Sequence, residues 1–173
     1  LKESYNIGKI VLHPTNENIA YVAAIGNIWA PIGERGLFKT LDGGTTWTEV
    51  TNNGLPSEFG FPLVSNPRDP STFWVIPLNG ADRGRYVPGA QGAVWRTADR
   101  GDTWTRATDG LPQHDAYLSV LREAMARDTL DPVGVMFGTK TGQLWHSADE
   151  GASWRRITAD LPEIWSVEAL VLD

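Results

Sequence analysis

Cysteine is absent from the 173-residue sequence. Its absence excludes disulfides, zinc–thiolate sites and cysteine nucleophiles, but leaves the compartment open because an exported protein need not carry disulfides. No apolar run approaches the ~18 residues of a membrane span. With 41% apolar and 21% charged residues, the chain reads as soluble, with no membrane partner. Basic residues are in deficit: 15 Lys and Arg against 21 Asp and Glu give a net charge of −6 and a sequence pI of about 5.0. They are scattered, so no basic stripe exists to neutralise a phosphate backbone, and nucleic acid is not an expected partner. His13, His114 and His146 show no metal-ligand spacing, and there is no phosphate loop, Ser-His-Asp pattern or glycine fingerprint. No metal, cofactor or assigned catalytic residue is expected. The opening Leu1-Lys2-Glu3-Ser4-Tyr5-Asn6 shows neither the basic nor the apolar part of an export signal.

What the sequence does contain is a repeat. One octapeptide pattern occurs three times, as Thr40-Leu41-Asp42-Gly43-Gly44-Thr45-Thr46-Trp47, as Thr97 to Trp104 around Asp99 and Gly101, and as Ser147 to Trp154 around Asp149 and Gly151. Asp99 lies 57 residues after Asp42, and Asp149 lies 50 after Asp99. That period fits a multi-strand unit and is far longer than a heptad or a single hairpin. Before each octapeptide stand an apolar residue, an aromatic and a basic or imidazole side chain: Leu37-Phe38-Lys39, Val94-Trp95-Arg96 and Leu144-Trp145-His146. After each comes a Leu-Pro pair, at Leu55-Pro56, Leu111-Pro112 and Leu161-Pro162.

Upstream, Pro and Asn/Asp turns precede apolar runs, as β-strand signals do. Each unit thus reads as four strands: about 8–13, 19–25, 36–41 and 46–51; then 62–66, 72–78, 92–98 and 103–108; then 117–122, 133–139, 143–148 and 153–158. The predicted fold is all-β, a β-propeller of four-stranded antiparallel blades with about three blades in this chain. Residues 1–173 form one partial propeller: blade 1 about 7–56, blade 2 about 57–112, blade 3 about 113–162, and an extra strand about 165–172. Tyr117, Val120, Leu121, Ala124 and Met125 follow helical spacing, so a helical turn is expected after a short third inner strand.

The octapeptide reads as a self-sufficient turn, with Ser/Thr and Asp oxygens accepting from backbone N–H groups and Gly free to take positive φ. The Trp can then cover the turn. Burying most of its ring removes roughly 150–250 Å² from water, an upper bound of about 4–6 kcal/mol. One carboxylate per octapeptide is too few for a calcium loop, so Asp42, Asp99 and Asp149 read as structural. These octapeptides resemble the Asp boxes, or BNR repeats, of sialidases, sortilin-type receptors, xyloglucanase-like glycosidases and photosystem II assembly-factor propellers. Residues 7–50 look most like secreted sortilin-like repeat proteins. From Leu55-Pro56 onward the chain looks more like a bacterial BNR-repeat group labelled glycosidase, a mismatch that admits a fragment or a chimera. The resemblance implies an extracellular or periplasmic setting.

It also implies that the box joins the third strand to the fourth, so that ligand chemistry belongs to the opposite rim. That rim carries Gly26–Gly36, with Trp29, Glu34 and Arg35, and Asn79–Gly92, with Asp82, Arg83, Arg85 and Tyr86; the Leu-Pro connections add Glu58, His114, Asp115 and Glu163. Carboxylates drawn from Asp82, Asp115 and Glu58 suit glycoside hydrolysis, and the arginines with Tyr86 suit an anionic sugar. The sialidases' Arg-Ile-Pro segment is missing. Three blades leave two sheet faces bare, an exposure comparable to the whole stability of a domain. Two copies giving about six blades, or further blades of a longer chain, would cover them. Two readings of function stand: a non-catalytic scaffold or binding module with a glycan or protein ligand, and a fragment of a glycoside hydrolase acting on a poly- or oligosaccharide.

Overall fold

In the computed structural model, which describes residues 1–30, 32–59 and 62–172, each repeat unit folds into one four-stranded antiparallel sheet whose strands pair in chain order. The first holds β1 (Ile7–Leu12), β2 (Ala20–Ile25), β3 (Arg35–Thr40) and β4 (Thr48–Glu49). The second holds β5 (Leu63–Ser65), β6 (Phe73–Val75), β7 (Val94–Thr97) and β8 (Thr105–Ala107), and the third β9 (Met125–Arg127), β10 (Val135–Gly138), β11 (Leu144–Ser147) and β12 (Arg155–Thr158). β5 touches both β1 and β9, so the first strands form the inner edges of three propeller blades. The register repeats as well: Phe38 pairs with Val22, Trp95 with Val75 and Trp145 with Phe137. The aromatic before each octapeptide therefore sits on the same face of every blade.

The octapeptide turns are hydrogen-bonded as their composition requires. The Thr40, Thr97 and Ser147 hydroxyls donate to Oδ1 of Asp42, Asp99 and Asp149 at 2.8, 2.7 and 2.7 Å. The same hydroxyls accept the N–H of Gly44, Gly101 and Gly151 at 2.9, 2.8 and 2.8 Å. Oδ2 of each Asp accepts the hydroxyl of Thr46, Thr103 or Ser153 at 2.6 Å. The three glycines sit at φ of 88°, 87° and 86°, the left-handed region that disfavours any side chain.

Successive blades are joined at these turns. The indole N–H of Trp104 donates to Val50 O of the preceding blade at 3.1 Å, and Asn53 Nδ2 donates to Gly101 O at 2.8 Å. At the second joint Trp74 Nε1 donates to Glu150 O at 2.8 Å. A basic residue of the third strand crosses each joint to an acid of the next turn: Lys39 to Asp102 at 2.7 Å and Arg96 to Glu150 at 3.1 Å. Apolar packing fills the space between. Tyr21 of blade 1 meets Phe73 of blade 2 at 4.5 Å between ring centroids, and within blade 3 Trp154 lies 5.2 Å from Phe137. Trp154 is buried whereas Trp47 and Trp104 are half-buried.

Two expectations need correction. The inner strand of blade 3 is not at 117–122, and no helical turn follows it: the strand is β9, at Met125–Arg127. Ala116, Leu118 and Val120 are buried while Tyr117 is exposed, an alternation of two that belongs to extended chain. Val87 N–H donates to Leu118 O at 3.0 Å and Lys140 N–H to Ser119 O at 2.9 Å, tying the segment to its neighbours before the chain turns at Arg122 and Glu123. The extra strand at 165–172 is not formed either. Val167 and Ala169 are half-buried between exposed neighbours, and Val167 N–H donates to Glu123 O at 3.0 Å, but among the described residues no neighbouring strand pairs with the segment. Trp165, Leu170 and Leu172 are left exposed.

Candidate functional site

The turns join the third strand to the fourth in every blade (β3 to β4, β7 to β8, β11 to β12), so the loops between second and third strands and the inter-blade connections share the opposite rim. There the structure brings together Arg35, at the first residue of β3, Glu58 of the Leu-Pro connection, and Asp82 and Arg83 of the Asn79–Gly92 loop. They line a cleft of about 390 Å³ together with Asn52, Ser57 and Asn79. Arg35 forms its floor, with its side chain only 9% exposed. Its head lies over the Phe59 ring, 5.2 Å from the centroid, and its Nε stands 3.7 Å from Glu58 Oε1. Asp82 Oδ2 lies 3.5 Å from Arg83 Nε, both side chains being exposed. Trp29, 84% exposed, lines a small neighbouring pocket that shares Arg35 and Asp82 with this cleft.

The remaining rim candidates lie elsewhere. Arg85, at φ 55°, lies over the Phe59 ring at 5.7 Å and lines a second, more apolar cleft of about 470 Å³ with Ile28, Leu78, Glu123 and Trp165. Asp115 and Tyr117 line a third, of about 550 Å³, with Trp145 and Arg156. Tyr86 packs edge-on to Tyr117 at 5.1 Å, and His114 is exposed on the same connection. Glu34 accepts the N–H of Glu3 at 2.9 Å, and Glu163 pairs with Lys140 at 3.4 Å. Asp82 and Asp115 thus belong to different clefts. His13 is a turn residue whose Nδ1 accepts from Thr15 and Asn16.

Sequence reasoning passed over Phe59, the ring shared by both arginines, and Glu49. Neither carries a motif signal, since their roles arise from residues brought close by the joint between blades. Burial, with the Glu58 charge adding to it, raises the Glu49 carboxyl above the ordinary glutamate value. The turn acids behave oppositely. Hydrogen bonds from Thr46 hold Asp42 at about 2 and those from Thr103 hold Asp99 at about 2, which keeps them ionised and unsuited to proton transfer at neutral pH. The Arg35 cleft offers fork-like and amide donors, two exposed carboxylate acceptors and a neighbouring bare indole face, a set suited to a polyhydroxylated ligand.

No protein-family model matches the chain. Over 96 residues it is 27% identical to an oligoxyloglucan-reducing end-specific xyloglucanase of Emericella nidulans, a stretch that is 56% of this chain and 12% of that protein. Among solved structures it is similar to the GH74 xyloglucanase from Xanthomonas campestris, with a TM-score of 0.63 and 22% identity over 90% of this chain and 21% of that one. It is similar also to an ancestral GH74 enzyme, with a TM-score of 0.62 and 18% identity over 90% of this chain and 19% of that one. YCF48 from Cyanidioschyzon merolae gives a TM-score of 0.56 and 18% identity over 93% and 42% of the two chains. The fold is that of a β-propeller. The matched stretches cover from about an eighth to under half of the length of these proteins.

Proposed function

We propose that the chain is a three-blade section of a glycan-acting propeller of the glycoside-hydrolase kind, built on Asp-box repeats, whose Arg35 cleft meets the substrate. The observation that carries the reading is the convergence of Arg35, Glu58, Asp82 and Arg83 around one cleft beside the exposed Trp29. The similarity to a xyloglucanase over 96 residues favours it over the non-catalytic scaffold. The remaining blades come from a longer chain or from a second copy, and the protein works outside the cell. Among the described residues no helix is long and apolar enough to cross a membrane.

The test is binding and hydrolysis on a panel of xyloglucan oligosaccharides, aryl glycosides and bacterial glycans. Activity is expected, and Asp82→Asn should lower it about 10²-fold or more, the usual weight of a participating carboxyl, with thermal unfolding unchanged because Asp82 is exposed. Binding without turnover would return the chain to the non-catalytic reading. Neither binding nor turnover would remove glycans from consideration.

A further inference from the structure

Arg35 is an unusual residue to find at the floor of a cleft, because the fold has made room for it and then left its donors only partly engaged. Gly26, at φ 60°, lies where a Cβ would collide with the Arg35 stem, and a Cβ on Gly80 would stand 3.5 Å from Arg35 Nη2. Two glycines thus flank the stem and the head. Among the described residues Nε–H has no hydrogen-bond partner, and Nη1 makes one long bond, to Ala30 O at 3.5 Å. Glu58, at 3.7 Å, is outside hydrogen-bond distance and its side chain is 56% exposed. A guanidinium carries five donors in a rigid fork matched to a carboxylate. Glu58 and the Phe59 ring offset its charge, but most of its donors still lack a hydrogen-bond acceptor, which a ligand oxygen would supply.

We propose that the Arg35 cleft receives a carboxylate, and that its bearer is a hexuronic acid residue of an acidic glycan. The cleft's volume of about 390 Å³ falls within the range of small-ligand sites. The carboxylate takes the Nη donors of Arg35, which bound the cleft beside Gly80, Asn52 and Asn79 supply amides to the ring hydroxyls, and Trp29 offers a face to the adjoining sugar. The acids nearby set the sign of a further effect. Asp82 is opposed by Arg83, but Glu58 lies close to where the ligand's charge arrives and repels it. The proposal rests on the glycan reading of this cleft and adds the class of sugar.

The experiment is titration calorimetry of the full chain at low salt with D-glucuronate, D-galacturonate, D-glucose, D-galactose and acetate. A uronate is expected to bind at least tenfold more tightly than its neutral counterpart and than acetate. Arg35→Lys, which keeps the charge and loses the fork, should weaken uronate binding tenfold or more, and Glu58→Gln should strengthen it severalfold. Because Glu58 is exposed, its variant reports even if Arg35→Lys fails to fold. Equal binding of uronate and neutral sugar, or weaker uronate binding by Glu58→Gln, overturns the proposal. Acetate binding as tightly as a uronate overturns the sugar assignment. Xyloglucan oligosaccharide bound by a protein that ignores uronates would sink this inference and leave the proposed function standing.

Discussion

A carboxylate held by several hydrogen-bond donors gives up those bonds only in strong acid. Asp42 and Asp99 are held at about 2 and Asp149 below its ordinary value. Because these folded-state values lie below the unfolded one, their contribution to stability is complete above the ordinary 3.8 and is lost as pH falls from there toward 2. Acid unfolding is therefore expected between about pH 4 and 2. Asp99→Asn should be less stable at pH 7 yet lose less stability across that window; a slope identical to that of the parent would contradict the assignment. Glu49 carries the reverse sign. Its raised value means that ionisation weakens the fold as pH rises past the usual carboxylate range, so Glu49→Gln should melt higher at pH 7 and match the parent near pH 3. Thr97 is buried and its hydroxyl serves both Asp99 and the Gly101 N–H. Thr97→Val leaves that N–H unpaired and should cost about 1–3 kcal/mol in a denaturant melt.

At the scale of the element, the turn glycines separate strain from packing. Gly44 and Gly151 share nearly the same φ, 88° and 86°, so Ala at either site bears the same backbone penalty, about 1–2 kcal/mol. Only Gly151 lies against another blade: its Cβ would stand 2.9 Å from Trp74 Nε1, whereas at Gly44 only its own Trp47 lies within 4 Å. Gly151→Ala should therefore cost a further ~1–3 kcal/mol of overpacking, read as a lower melting temperature than Gly44→Ala; equal losses would deny that the joint seats on this residue. These turns were legible because hydroxyl, carboxylate and glycine act within eight residues. The third inner strand was not: Tyr117, Val120, Leu121, Ala124 and Met125 mimic a helical stripe, and what keeps Leu118 extended is a bond from Val87, far away in sequence. How the rim charges divide among the clefts was hidden in the sequence. Arg35 meets Glu58, and Asp82 parts from Asp115, only once blade 1 packs on blade 2.

For the whole molecule the decisive surface is the bare face of blade 1. On β1, Ile10 is 58% and Leu12 68% exposed, and the turn beside them carries the unpacked Gly44. Apolar surface of this kind drives association. Light scattering across micromolar concentrations should show a mass that grows with concentration, and Ile10→Lys with Leu12→Lys should return it toward the monomer. A chain that stays monomeric throughout would mean that neither face needs a neighbour.

The joint between blades also has a direction. The following blade always offers the glycine turn, and the preceding one always offers the side chain or carbonyl that covers it: Val50 over Gly101, Trp74 over Gly151. Socket and plug lie on opposite faces, so the joint is never made socket to socket: two copies can share it only about a two-fold along the propeller axis, each seating its plug in the other's socket. Any self-assembly that reuses this joint must be heterologous, head to tail, closing into a ring if the rotation permits and running on as a filament if it does not.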